Sequence, residues 1–229
     1  MSIRTIFISL ALLLAFHDVS FAGDTVSESK KIDVFTVLKI EGDFTVVLTQ
    51  GSACSLKIDG DKDAVAAVQV LGKGVTLSIT KSGGAKGNVT LYITFKDINQ
   101  VSVSGNCTVS ATNQIKTGDL MLSLNGNTQG SLNVKTKVLT FNSNTDKNFT
   151  LTGKANRGNA KLDGEGAIDM SQCKIEDFNL EFSSDADAKI YAHPKLNVKM
   201  SGAGNLIYYG NPRIKVFKVD GTGMPKEAK

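Results

Sequence analysis

From Val101 to the C-terminus the chain alternates apolar and polar residues in short runs, each closed by a small turn residue. The turn position is held by Gly105, Gly126, Ser143, Gly164, Ser184, Gly202 and Gly221, at spacings of 21, 17, 21, 20, 18 and 19 residues. Two residues before each lies Val103, Leu124, Phe141, Leu162, Phe182, Met200 or Val219. Four before each lies Val101, Leu122, Leu139, Ala160, Leu180, Val198 or Phe217, and the residue between is polar, from Ser102 to Lys218. Alternation with period two describes a strand with one buried face. Its recurrence at a fixed period near twenty describes such strands stacked rung on rung. An all-β solenoid with coils of about 20 residues is therefore predicted over 101–224, with its apolar residues in one interior column.

The first third is less regular. Residues 23–31 read as a loose lead-in and 32–100 as a β-rich part. Within it Phe35–Ile40 and Phe44–Gln50 flank a Glu41-Gly42-Asp43 turn and read as a hairpin or as consecutive rungs. Asp63–Val68 is the single helical candidate. In the coils, Asn125/Asn142 and Asn106/Asn127/Asn144 recur at matching places, which suggests amide ladders with a structural role. Pro225 and the charges of a short tail, 225–229, suit the guarding of an open strand edge. That would disfavour assembly through this end and leave side-to-side association of copies open.

Arg4, the apolar run Ile6–Phe16 and Val19-Ser20-Phe21-Ala22 form the pattern of a cleaved secretory signal, 1–22, with a cut near Ala22. The run is shorter than the about 20 residues a membrane span needs, and no later stretch spans either. The mature chain is expected to be exported, to the periplasm or beyond. A net charge of +4 raises the question of nucleic acid, yet Lys and Arg are dispersed among acids without interleaved aromatics. That distribution, with export, excludes nucleic acid as the expected partner. Of the cysteines, Cys107 and Cys173 lie three rungs apart, about 14 Å on stacked strands, beyond disulfide reach. Pairing of Cys54 with Cys107 stays open, and buried free thiols are the expected state.

Several segments together resemble a known family. Ser104-Gly105-Asn106, Asp163-Gly164-Glu165-Gly166, Ser201-Gly202-Ala203-Gly204 and Asp220-Gly221-Thr222-Gly223 resemble the Gly-Ser-Gly turns of the auto-transporter adhesin head GIN domain family. Phe44–Gly51 and Ile207–Pro212 resemble its opening and closing blocks, and the likeness spans about Ile32 to Met224. The resemblance implies a right-handed β-helix akin to pectin-lyase-like folds, without recognised catalytic residues, and with cell adhesion as its proposed role. Ser143 and Ser184 depart from the family's usual Gly.

Candidate chemistry is sparse. His193 stands alone beside Pro194, with no triad motif around it. Asp59-Gly60-Asp61-Lys62-Asp63 has the alternate carboxylates of a calcium loop but lacks its Gly and Glu, having Ala64 and Val70 instead. Asp185 and Asp187 form a similar polar turn. Asp163, Glu165, Asp185 and Asp187, with Arg157 or Lys161, are the residues a glycan lyase or hydrolase would recruit. Acids at turns also serve the backbone, which is the reading preferred here. Tyr191, Tyr208 and Tyr209 offer a platform for sugar stacking, with Tyr208 in a core slot and Tyr209 the better surface candidate. The expected function is non-enzymatic binding or adhesion at the cell envelope, toward an envelope or host-surface glycan or protein, with no cofactor or metal required. The alternative is a polysaccharide-acting enzyme on the same fold.

Overall fold

The computed structural model describes residues 24–81 and 84–228; the signal-like features at Arg4, Ile6–Phe16 and Ala22 lie outside them. Nearly every described element is a strand. The first third holds β1 (Thr25–Lys30), β2 (Val37–Glu41), β3 (Phe44–Gln50), β4 (Ser55–Asp61), α1 (Lys62–Ala66), β5 (Val68–Lys73), β6 (Thr76–Lys81) and β7 (Val89–Phe95). The coils follow as β8 (Gln100–Ser104), β9 (Cys107–Ala111), β10 (Ile115–Lys116), β11 (Asp119–Gly126) and the long β12 (Gln129–Thr145), β13 (Phe149–Leu162), β14 (Ile168–Phe182) and β15 (Ala188–Met200). Short β16 (Leu206–Tyr209), β17 (Ile214–Val219) and β18 (Pro225–Glu227) complete the chain. The result is a β-solenoid of about 7 turns of about 19 residues.

Each coil contributes one strand to each of two parallel ladders. The first ladder runs β6, β2, β8, β11, the C-terminal halves of β12 to β15, then β17. The second runs β7, β3, β9, the N-terminal halves of β12 to β15, then β16 and β18. The inward side chains of both ladders form one apolar cluster. Phe141 of the first ladder meets Phe149 of the second with ring centroids 6.3 Å apart. Leu77, Leu38, Val101, Leu122, Phe141, Ala160, Leu180 and Val198 stack in register as one interior column, all buried. Burying each leucine side chain contributes about 1.5–3 kcal/mol, so the column is a main source of stability.

One turn lies two residues from its expected place. Leu122 opposes Phe141, Leu124 opposes Ser143, and Gly126 opposes Thr145. Thr145, not Ser143, therefore follows Gly126 in the turn column, and the uneven 17 and 21 become 19 and 19. A shift of two preserves the inward face, so Phe141 stays buried while Ser143 enters the apolar column between Leu124 and Leu162. The hydroxyl identifies the turn. Thr145 Oγ1 lies 2.8 Å from the carbonyl of Gly126 and receives the Lys147 N–H at 3.3 Å. Ser184 repeats this: its hydroxyl donates to the Gly164 carbonyl, and the Ala186 N–H donates to it at 3.0 Å. Where the turn column has a side chain, its oxygen bonds the turn below.

The first third is threaded out of order. β2 pairs with both β6 and β8, and β3 with both β7 and β9. The coil 37–50 thus lies between the coil 76–95 and the repeats, so β2 and β3 are the two sides of one coil, neither a hairpin nor consecutive rungs. Gly105 is what lets the repeats meet this coil: its φ is +109°, and a Cβ there would lie 2.3 Å from the Gly42 carbonyl. Residues 25–30, expected as a loose lead-in, form β1, paired antiparallel with residues 56–61 of β4. β4 in turn pairs antiparallel with β7, and β5 with β6. The helix is real but starts one residue earlier than expected and ends at Ala66, with Ala64 and Val65 buried against the core.

At the other end, residues 225–227 of the expected short tail form β18, lying on β16. Val219, expected in the interior column, is 41% exposed because no rung covers it. Lys215 and Glu227, in register with the inward Leu196 and Tyr208, meet at 2.7 Å and put charge over the last layer of the core.

Candidate functional site

The outer face of the first ladder is built from repeated polar positions. Thr140, Asn159, Asn179, Asn197 and Val216 stand opposite one another on successive rungs. Asn197 Nδ2 donates to Asn179 Oδ1 at 2.8 Å, and Asn179 Nδ2 donates to Asn159 Oδ1 at 3.2 Å. Beside this amide ladder runs a second column, Asn142, Lys161, Glu181 and Lys199. Together they line an open groove of about 480 Å³. Its signs alternate, lysine, glutamate, lysine, and backbone geometry alone fixes their spacing.

Charges around the groove are partly engaged. Lys161 Nζ lies 2.9 Å from Asp163, whose hydrogen bond raises the lysine above its ordinary pKa. Partial burial pushes Asp163 up, but the Ser183 hydroxyl and the Lys161 ammonium outweigh it and hold the carboxyl below its usual range. On the far side, Lys195 faces Asp177 at 3.5 Å, and that Asp177 oxygen has no hydrogen-bond donor among the described residues.

The expected asparagine ladder lies elsewhere. Asn125 does oppose Asn144, but Asn142 opposes Ser123 and Lys161. The bonded amides are Asn159, Asn179 and Asn197, each five residues before Gly164, Ser184 and Gly202. That constant offset is the signal in the sequence that could have found them.

The acids considered for glycan cleavage bond the next turn instead. Asp163 accepts from the Ser183 hydroxyl, Asp185 from the Ala203 N–H at 2.9 Å, and Asp187 from the Asn205 N–H at 2.8 Å. Glu165 is exposed at the same edge, and Arg157 stands on β13 opposite Asp177, separated from Lys161 by the amide column of Asn159. In the calcium-like segment, Asp59 accepts from the Ser27 hydroxyl at 2.7 Å and Asp61 from the Asn88 N–H at 2.7 Å. No cluster of three or more His, Cys, Asp or Glu side chains arranged to hold a metal occurs among the described residues.

His193 is on the second ladder, its Nδ1 2.9 Å from the Gly210 carbonyl. Tyr208 is buried, while Tyr191 and Tyr209 are in register on the outer face and border a hollow of about 400 Å³. All three cysteines are free: Cys54 is partly exposed, and burial pushes the Cys107 and Cys173 thiols up to about 11 and about 12. No helix among the described residues is long and apolar enough to cross a membrane.

Three solved structures share this architecture. A protein described as a putative adhesin from Bacteroides fragilis NCTC 9343 is 22% identical, with a TM-score of 0.83 over 90% of this chain and 97% of its own. A second, from Parabacteroides distasonis ATCC 8503, is 15% identical with a TM-score of 0.72, covering 90% of this chain and 98% of its own. A third, from Parabacteroides merdae ATCC 43184, is 21% identical with a TM-score of 0.70, covering 91% and 98%. No curated protein matches the sequence. At these identities the likeness concerns the fold. The sequence itself matches one family over residues 34–212, from the loop that leads into the intercalated coil to the turn after β16. By that match the chain belongs to the family described as "Putative auto-transporter adhesin, head GIN domain".

Proposed function

We propose that the chain is an exported, non-enzymatic binding protein that acts in adhesion at the cell envelope and engages its partner along the outer face of the first ladder. The observation that carries this is the groove of about 480 Å³ over Asn159, Asn179 and Asn197, flanked by Lys161, Glu181 and Lys199. Rigid strands hold these donors and acceptors at fixed intervals, so little ordering entropy opposes contact with an extended ligand. The family to which the chain belongs supports the adhesive reading. Asp163, Asp185 and Asp187 at the turn edge are already bonded to backbone or hydroxyl groups, which favours binding over bond cleavage.

The test is binding of residues 23–229 to arrays of glycans and envelope proteins, with reducing-sugar release assayed in parallel. Saturable binding without turnover is expected, weakened at least about tenfold by Asn179→Arg, which fills the groove. Turnover of any polysaccharide, or the absence of any ligand whose binding Asn179→Arg weakens, overturns the proposal.

A further inference from the structure

The second ladder carries a different kind of surface at its C-terminal corner. Tyr191 and Tyr209 occupy matching positions on β15 and β16, about 4.8 Å apart along the axis. Gly210 follows with φ +97°, and a Cβ there would come within 2.9 Å of the Tyr191 ring. The Tyr191 ring thus lies close against the bare backbone of Gly210.

Next to this pair the ladder is interrupted. Met170 opposes Ile190 and Lys174 opposes Tyr191, so Ser171, Gln172 and Cys173 have no partners on β15. Bulges of this kind re-aim side chains and recur beside binding sites. Here the bulge is held tightly: the Ser171 N–H and hydroxyl both donate to Asp169 Oδ1, at 2.9 and 2.6 Å. Cys173 turns into the core, and Gln172 is left exposed at the rim. The hollow of about 400 Å³ lies among the bulge, the tyrosine pair, Asn211 and Glu227. A second hollow of about 270 Å³ shares Tyr191 and Lys174 and extends to His193.

We infer that this corner is a carbohydrate subsite that takes an uncharged pyranose ring. A pyranose presents a face of polarised C–H bonds and a rim of hydroxyls. The negative face of an aromatic ring attracts the former, and Gln172, Lys174 and Asn211 can hydrogen-bond the latter. A cationic ligand is disfavoured, because Lys174 Nζ already lies 5.9 Å from the Tyr191 ring centroid. Lys174 and Glu227 on opposite rims leave no single sign of charge for an ion to follow. The site is on the other ladder from the amide groove, so it stands whether or not that groove binds anything.

The test uses residues 23–229 and an array of neutral oligosaccharides ending in hexose or N-acetylhexosamine. Affinity for any hit is then followed by tyrosine fluorescence, which is legible because the chain has no Trp and four Tyr. Tyr191→Ala and Tyr209→Ala should each weaken binding at least about tenfold, while Tyr191→Phe and Tyr209→Phe stay within about threefold. Asn179→Arg should leave this binding unchanged, which separates the corner from the groove. If an alanine variant fails to fold by circular dichroism, Gln172→Ala on the exposed bulge decides, with weakened binding expected. Absence of binding to every neutral glycan, or binding untouched by both alanine variants or by Gln172→Ala, overturns the inference.

Discussion

In the repeats, each strand lies on one about nineteen residues further along, as Leu120 lies on Leu139. In the first third, the intercalated coil has no neighbour at that spacing: on one side Val37 opposes Thr76, and on the other Phe44 opposes Cys107 and Thr49 meets Thr112 across a separation of 63. The repeats are nearly one-dimensional, so each rung needs only its neighbours. The first third is a splice in which one coil is held between two others and the outer edge is sealed by antiparallel strands and a helix. Long-range closure costs entropy that only well-filled contacts offset. The splice therefore has the tighter demands, and the repeats the greater freedom to vary their outer face.

Matched core truncations are the strongest way to break this comparison. Phe182→Ala, inside the repeats, should cost about 3–5 kcal/mol, and Ile40→Ala, between Ile79 and Val103 in the splice, about 2–5 kcal/mol. One apolar cluster runs through both regions, so each variant should shift a single urea transition followed by circular dichroism. Two separated transitions in either variant would show that splice and repeats fold as independent units.

A smaller effect tests the register inside the repeats. Thr145→Val keeps the shape but removes the hydroxyl shared by the carbonyls of Gly126 and Thr128, at 2.8 and 2.5 Å. Losing a buried hydrogen bond of this kind should cost about 1–3 kcal/mol. Ser143→Ala, in the apolar column, should change stability by less than about 0.5 kcal/mol. Equal effects in denaturant melts would return the turn role to Ser143.

That pair of residues shows how far the sequence could be read. The period, the inward face and the solenoid class follow from alternation, which survives any even shift. The exact rung of coil three does not, because Ser143 and Thr145 both offer a hydroxyl beside a small polar residue. The intercalation of 37–50 was illegible for a different reason: period-two patterning says which face is buried, not which strand lies next. β1 was missed because its solvated edge reads as polar, five of its six residues being outside the core pattern. Of the sites, Tyr209 was legible as a surface aromatic and Tyr208 as core, but the bulge at 171–173 needed the register.

The exposed end of the repeats can be probed by pH. A hydrogen bond from Lys215 depresses the Glu227 carboxyl below its ordinary value, and Glu227 raises Lys215 above its own. A depressed carboxylate contributes stability above its unfolded pKa and loses it as pH falls through the folded one. The raised lysine contributes below its ordinary value and loses this only at alkaline pH. The last rung should therefore be tightest near neutrality. Amide protection at 214–217 and 226–228, measured against intrinsic exchange rates, should fall once the pH drops below the ordinary glutamate range and, in Glu227→Ala, at pH 7 as well. The antiparallel end, where Asp61 accepts from a backbone N–H, should not respond to the mutation. Equal quickening at both ends would break the distinction between them.

Two buried thiols sharpen the comparison without any mutation. Cys107 is at the splice, its Sγ 3.2 Å from the Gly42 carbonyl, and Cys173 is inside the repeats, facing Gly153 across one rung. Burial holds them at about 11 and about 12, so at pH 8 only about one in a thousand and one in ten thousand would be thiolate. Steric cover slows both further. Partly exposed Cys54 should react first with an alkylating reagent, as the only thiol labelled quickly in the native state. The other two then become reporters of opening in their own regions. With one core running through both, Cys107 and Cys173 should gain reactivity at the same urea concentration, read by mass spectrometry of labelled peptides. Labelling of Cys107 at lower urea would mean that the splice opens while the repeats stay folded, and that the out-of-order coil is the weak joint of the molecule.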